Sequence, residues 1–213
     1  MAEQFTNFVN VCKPFLNKKR AEYLNFMGRP DEAKKEVKIA RELDPLAMII
    51  LRSESWIYGW SDETETARKY YERNIKLYPK YKSMYADKAN FHFERNEFKD
   101  AFKNWLKMAE LDQALEEILN AAKIAMESPE IKDFVKVMLD YDLSQDPVNV
   151  YFVAGDYYML GDYERSLDWL ERAYDTRQYE IILINQDPLF SDPKFRSNPR
   201  FQAILKKMNF PEM

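Results

Sequence analysis

His92 and Cys12 are the only histidine and the only cysteine in the chain. A thiol nucleophile needs a base beside it, and Cys12 has no histidine near it in the sequence. His92 falls inside a helical pattern, on its packing side, where a hydrogen-bonded core imidazole is expected rather than a catalytic one. A zinc site takes several His or Cys ligands at helix or loop spacing, and those residue types are lacking. No serine sits in a Gly-x-Ser-x-Gly elbow. No glycine-rich stretch can cradle a phosphate, and no Asp-x-Asp loop with a downstream glutamate matches a calcium site. Carboxylates are plentiful, Glu63 with Glu65 and Glu116 with Glu117 among them, but they fall where solvated helix faces are expected. Acid–base catalysis needs a positioned group with a matched pKa. These residues predict no enzyme, no cofactor and no metal.

The remaining chemistry is recognition. Trp, Tyr and Arg dominate the energetics of protein interfaces, and the chain carries 4 Trp and 14 Tyr among its 213 residues. The charge balance argues against nucleic acid as the partner: 32 Lys and Arg face 36 Asp and Glu, a net charge of −4, whereas duplex binders show a basic excess or stripe. The compact basic run Lys18-Lys19-Arg20 reads as a solvated helix face. The longest apolar runs, Leu46 to Leu51 and Ile181 to Ile184, fall far short of the roughly 20 residues that span a bilayer. The first residues, MAEQFTNF, lack the basic start and apolar stretch of a signal peptide. One cysteine permits no internal disulfide, as in a reducing compartment. A cytoplasmic chain with a protein or peptide ligand and no membrane partner is the expectation.

The elements that must position such residues are helices. Only 4 glycines and 10 prolines punctuate the chain, too few for a sandwich, barrel or propeller. Internal periodicity is the stronger signal. Ala33, Ala67 and Ala101 are spaced by 34 residues, and Pro45, Pro79 and Pro147 fall on the same comb, with Gln113 at the missing tooth. Partners follow the alanines at offsets of four and seven: Val37 and Ala40, Tyr71 and Asn74, Trp105 and Met108. Those offsets share one helix face. A small residue lets two helices approach, and the proline is expected to open the next helix, with Asp44 and Asp146 as caps. One hairpin cannot bury its own apolar face, so neighbours must stack.

The pattern resembles the tetratricopeptide repeat (TPR). The best matches are Gly28-Arg-Pro-Asp-Glu-Ala33 continuing to Ala40 and Pro45, and Gly161-Asp-Tyr-Glu-Arg-Ser166 continuing to Leu170 and Ala173. Phe98-Lys-Asp-Ala101 follows the same pattern with Asn96 for the glycine. The implied fold is all-α: a right-handed α-solenoid of about five hairpins at 14–47, 48–81, 82–115, 116–146 and 147–180. An N-terminal helix at 1–13 would present Phe5, Phe8, Val9 and Cys12 to the first hairpin. A turn-rich segment, 181–213, would end in a capping helix with Phe201, Leu205 and Met208 inward. The fourth unit is degenerate, with Val135 in the alanine position. The glycine and tyrosine that pack the two helices of a family repeat are mostly replaced, by Ala21 and Leu24, Ser55 and Tyr58, Ala89 and His92, and Ala154 and Tyr157.

The resemblance implies a scaffold or adaptor whose first helices line a concave face. Candidate groove residues are Arg52, Trp56 and Trp60 in the second unit, Asn90 and Phe93 in the third, and Tyr151 and Tyr158 in the fifth. Arg52 can pair a carboxylate and Asn90 can bond a peptide backbone. The chaperone-tail clamp of some family members is not matched: Lys18 is suitably placed, but Glu22 replaces an asparagine and Ala86 precedes Asn90 where a lysine belongs. The Asn198-Pro-Arg-Phe201 stretch and its leucine helix are similar to the closing segment of TPR arrays in bacterial signalling and transcription-regulator proteins. That likeness implies a sensor or regulatory module as the alternative function.

Overall fold

Wherever apolar residues recur at three- and four-residue steps, the chain is helical. The computed structural model describes residues 2–61, 63–114, 116–128 and 130–210, with side chains from residue 12 onward. Among the described residues there is no strand. The helices gather into two compact units, Met1–Phe91 and His92–Met213.

The first unit holds α1 (Ala2–Phe26), α2 (Pro30–Leu43), α3 (Met48–Gly59), α4 (Thr64–Leu77) and most of α5 (Lys82–Phe93). Helix α1 packs on α2, and α3 on α4. The leading helix expected at 1–13 is no separate element, because α1 continues through Pro14 to Phe26. Proline costs a helix one backbone bond, and α1 bears that loss without ending. Cys12 is half-buried, while the side chains of Phe5, Phe8 and Val9 lie outside the described ones.

The second unit holds α6 (Phe98–Leu111), α7 (Glu116–Ala125), α8 (Ile131–Ser144), α9 (Val150–Leu160) and α10 (Tyr163–Asp175). Two 3-10 turns follow, Tyr179–Asn185 and Pro188–Phe190, then α11 (Pro193–Arg196) and α12 (Pro199–Met208). Here α7 packs on α8, α8 on α9, and α9 on α10.

In each unit the small residues of the comb are buried. Ala33, Ala67, Ala101 and Ser166 have no exposed surface. Val37, Ala40, Tyr71 and Asn74 are buried with them, while Trp105 and Met108 are only half-buried. The small residues Ala21, Ser55, Ala89 and Ala154 are buried too. Polar members are bonded as burial requires: Ser166 Oγ donates to the Ala154 carbonyl at 2.8 Å, and the Asn74 amide donates to Leu51 O and Ser55 Oγ, both at 2.8 Å. Three of the turns that join successive helices hold a left-handed residue, Gly28 at φ +71°, Asn96 at +58° and Gly161 at +82°. Asparagine is among the side chains that tolerate this region best, which suits Asn96 to its turn.

The prolines do not open the next helices. Helix α3 begins at Met48 and α5 at Lys82, each three residues beyond its proline. Asp44 ends α2 instead, with its N–H bonded to the Ala40 carbonyl. Pro147 likewise precedes α9, which is capped by Asn149 accepting from the Tyr151 and Phe152 N–H groups, so neither Asp44 nor Asp146 caps the start of the helix that follows it. The fixed φ of proline shapes the loop, and two further residues complete the turn. Gln113, the missing tooth, has φ +58°, a value the proline ring forbids.

The closing segment uses prolines as the first residues of turns. Asp187, Asp192 and Asn198 each precede a proline, and each side chain accepts the N–H two residues on. Pro at the first helical position with an Asx cap before it is a strong start signal. The segment folds onto α9 and α10 through a cluster of rings. Phe190 and Phe195 lie edge-on to Tyr158 at centroid distances of 5.2 and 4.8 Å, and Phe195 meets Phe201 at 5.3 Å. In α12 the buried positions are Phe201 and Ile204, with Leu205 and Met208 half-buried. Arg200 ties α12 to α10 by donating to Glu171, Asp168 and Glu164 at 2.7, 2.6 and 3.1 Å. Phe190 has no exposed surface, so Phe190→Ala is expected to cost about 3–5 kcal/mol. Urea unfolding followed by circular dichroism measures it; a loss under about 1 kcal/mol would mean that the cluster does not hold the segment down.

Candidate functional site

The expected groove residues divide between the two units, and most have partners within the chain. In the first unit α1, α3 and α5 bring Lys18, Glu22, Arg52, Ser53 and Asp87 into one polar face. Lys18 Nζ lies 2.6 Å from Glu22 Oε1, and Ser53 Oγ donates to the same oxygen at 2.7 Å. Lys19 Nζ is 3.3 Å from Glu22 Oε2. Burial pushes the Lys18 ammonium down, against the pull of Glu22. Arg52 donates from Nε and Nη2 to the two carboxylate oxygens of Asp87 at 2.6 and 2.9 Å, and the charge of Asp87 raises its pKa further. The guanidinium expected to meet a ligand carboxylate thus already holds one across its fork, the geometry such pairs prefer.

Trp56 stacks on Phe26 with centroids 5.4 Å apart, and Trp60 closes edge-on to Trp56 at 5.1 Å. Both indoles are half-buried and Asn90 is exposed. Beneath this face lies a charge cluster that periodicity does not reveal. Glu54 is 1% exposed and held between Arg41 at 3.2 Å and Arg73 at 2.9 Å. Its sequence neighbours are apolar or small, so only the arginines of two other helices explain a buried carboxylate.

In the second unit Phe93 and Tyr158, which are far apart in the chain, line one cleft of about 450 Å³. Phe93 comes from the end of α5 and is braced by Phe98 and Trp105 at 5.5 and 5.3 Å. Tyr158 and Met159 come from α9, Ile131 and Lys132 from α8, and Pro188, Leu189 and Ser191 from the closing segment. Glu94 and Asn96 complete the α5 side, and Gly161 and Tyr163 the α10 side. Next to Asn96, His92 Nδ1 lies 2.6 Å from Glu97 Oε2, a buried imidazole that ties the turn.

Tyr151 is placed differently from the expectation. It is 3% exposed, and its hydroxyl donates to Asp187 Oδ2 at 2.8 Å. The closing segment covers it: a Cβ on Gly155, one turn along α9, would come within 2.9 Å of Leu189 Cδ2. The surface read as ligand-facing on this part of α9 is occupied by the chain's own residues 187–190. The signal was in the sequence, since Asp187-Pro-Leu-Phe190 combines a cap, a turn and two apolar side chains that need cover.

Two carboxylate sites in this unit are dry. Asp187, buried under the segment, is pushed up by desolvation, while the Tyr151 hydroxyl and Leu189 N–H favour its charged form. Asp142 of α8 and Asp156 of α9 are hydrogen-bonded to each other, and burial raises both. Such a pair resembles an acid–base dyad in its sharing of a proton, but neither residue lines the cleft. Among the described residues no group of three or more His, Cys, Asp or Glu is arranged to hold a metal ion, and no helix is long and apolar enough to cross a membrane. No protein-family model matches the chain, and no curated protein matches it at a significant level.

The acid pair generates a pH prediction. In an unfolded chain both aspartates titrate near 4, so the folded chain keeps the shared proton to higher pH. The stabilisation from that proton is whole below about pH 4 and is lost as pH rises through the raised titration of the pair. Asp156→Asn keeps a hydrogen bond to Asp142 without a second charge. Urea melts are expected to show the variant gaining stability relative to the parent between pH 4.5 and pH 8.5. An equal difference at both pH values would rule out a shared proton.

Proposed function

We propose that the chain is a TPR-like α-solenoid acting as a non-enzymatic adaptor that holds a peptide or protein segment on the first helices of its hairpins. The observation that carries this reading is the cleft of the second unit. Two aromatic side chains singled out by residue type and helical position, Phe93 and Tyr158, meet there across a space of about 450 Å³, a size in the range of ligand pockets. Rings braced by neighbours, as Phe93 is by Phe98 and Trp105, lose little freedom on binding and make effective anchors. The left-handed turns at Gly28, Asn96 and Gly161 and the buried small-residue comb support the TPR-like reading of the hairpins. In the first unit Trp56, Trp60 and Asn90 supply a further contact face, and Arg52 serves through its orientation by Asp87 rather than as a free cation.

The test is a membrane array of random dodecapeptides probed with the whole chain and with two variants. Tyr158→Ala is expected to weaken the bound peptides by about tenfold or more, in line with loss of an aromatic anchor. Trp56→Ala reports the first unit in the same assay. Folded variants that retain every bound peptide would overturn the reading.

A further inference from the structure

The cleft of the second unit joins aromatic walls to one desolvated carboxylate. Glu94 lines it with a side chain only 11% exposed, and its ion-pair partner Arg95 stands 3.6 Å away, long for a charge-assisted contact. The charged group of another element that acts on Glu94 is Asp187, on the closing segment, while Lys132, on α8, lines the same cleft. Lys132 is exposed, so water and salt screen its charge, whereas the buried Asp187 adds to the cost of ionising Glu94. The rings of Tyr158 and Tyr163 stack 5.2 Å apart on the same wall. A carboxylate out of water beside aromatic faces is the combination that recognises an organic cation, by charge pairing and by cation–π attraction.

We propose that this cleft receives a basic side chain, lysine or arginine, of the segment that the array holds. The inference rests on the peptide-binding reading above and gives that ligand its chemistry. Left alone, Glu94 is a buried acid without an adequate counter-charge. An ammonium or guanidinium entering between it and the tyrosines supplies that charge and lets the carboxylate ionise. Lys132 at the opening works against the same ligand, so removing its charge strengthens binding, the reverse of what an anionic ligand would show.

Proton linkage gives the inference a second handle. Burial, with Asp187 adding to it and Arg95 opposing, pushes Glu94 up to about 8. Below that pH a cation must displace a proton to pair with Glu94, so affinity climbs as pH rises towards 8 and then levels.

Two probes test the proposal on the whole chain. On the dodecapeptide array, bound sequences are expected to be rich in Lys and Arg, with that enrichment lost in Glu94→Gln and heightened in Lys132→Gln. In an NMR titration with n-butylammonium, the Met159 methyl and Ser191 amide signals are expected to shift. The fitted affinity is expected to be about tenfold or more tighter at pH 8.5 than at pH 6.5, the change that ionising a group with a pKa near 8 allows. Peptides without basic enrichment that are nonetheless lost on Tyr158→Ala would overturn the cation site and leave the groove reading standing. A pH-dependent butylammonium response with no peptide bound would support the cation site while the peptide reading failed. Equal butylammonium affinity at the two pH values in the unmodified chain would overturn the proposal whatever the variants do.

Discussion

How closely two helices approach is limited by the bulk of the side chains between them. In this chain that limit is set by alanine and serine. Ala33, Ala67, Ala101 and Ser166 in the second helices and Ala21, Ser55, Ala89 and Ala154 in the first are all buried, and larger neighbours fill the grooves beside them. Close-packed interiors tolerate little change in volume, so the spacing of these small residues governs where every first helix can stand. The placement of Arg52, Phe93 and Tyr158 follows from it.

That level of organisation was legible because it is periodic. The comb at 34-residue spacing located the buried helix faces, and the glycine and asparagine turn positions located the reversals. What was not legible depends on contacts between residues distant in sequence. Nothing around Glu54 announces Arg41 and Arg73, and nothing beside Arg52 announces Asp87, because each partner sits on a different helix. The prolines misled for a local reason: a proline shortly before a helix can be its first residue or part of the loop leading to it, and the chemistry of Asp-Pro suits both. In the closing segment Asp-Pro does begin a turn at Pro188 and at Pro193, and Asn-Pro begins the last helix at Pro199.

The candidate site was half legible for similar reasons. Phe93 and Tyr158 were found by residue type and helix face, and they line the same cleft. Glu94, the buried acid of that cleft, was hidden among 36 acidic residues, since only burial separates it from those in water. Tyr151 shows the opposite error. Its face pattern is that of a ligand contact, but an internal segment satisfies it, and a hydrophobic surface cannot tell a neighbour in the same chain from one in another molecule.

The bond from Tyr151 to Asp187, with Leu189 pressed against Gly155, also limits how far this protein can be treated as interchangeable bricks. Cutting after residue 180, where the last hairpin ends by periodicity, would strip the phenol of its acceptor and bare the rings of α9. The fifth hairpin and the tail behind it therefore form one inseparable piece. Any graft or truncation that respects the repeat boundaries but ignores that seam would carry a sticky, unfinished edge.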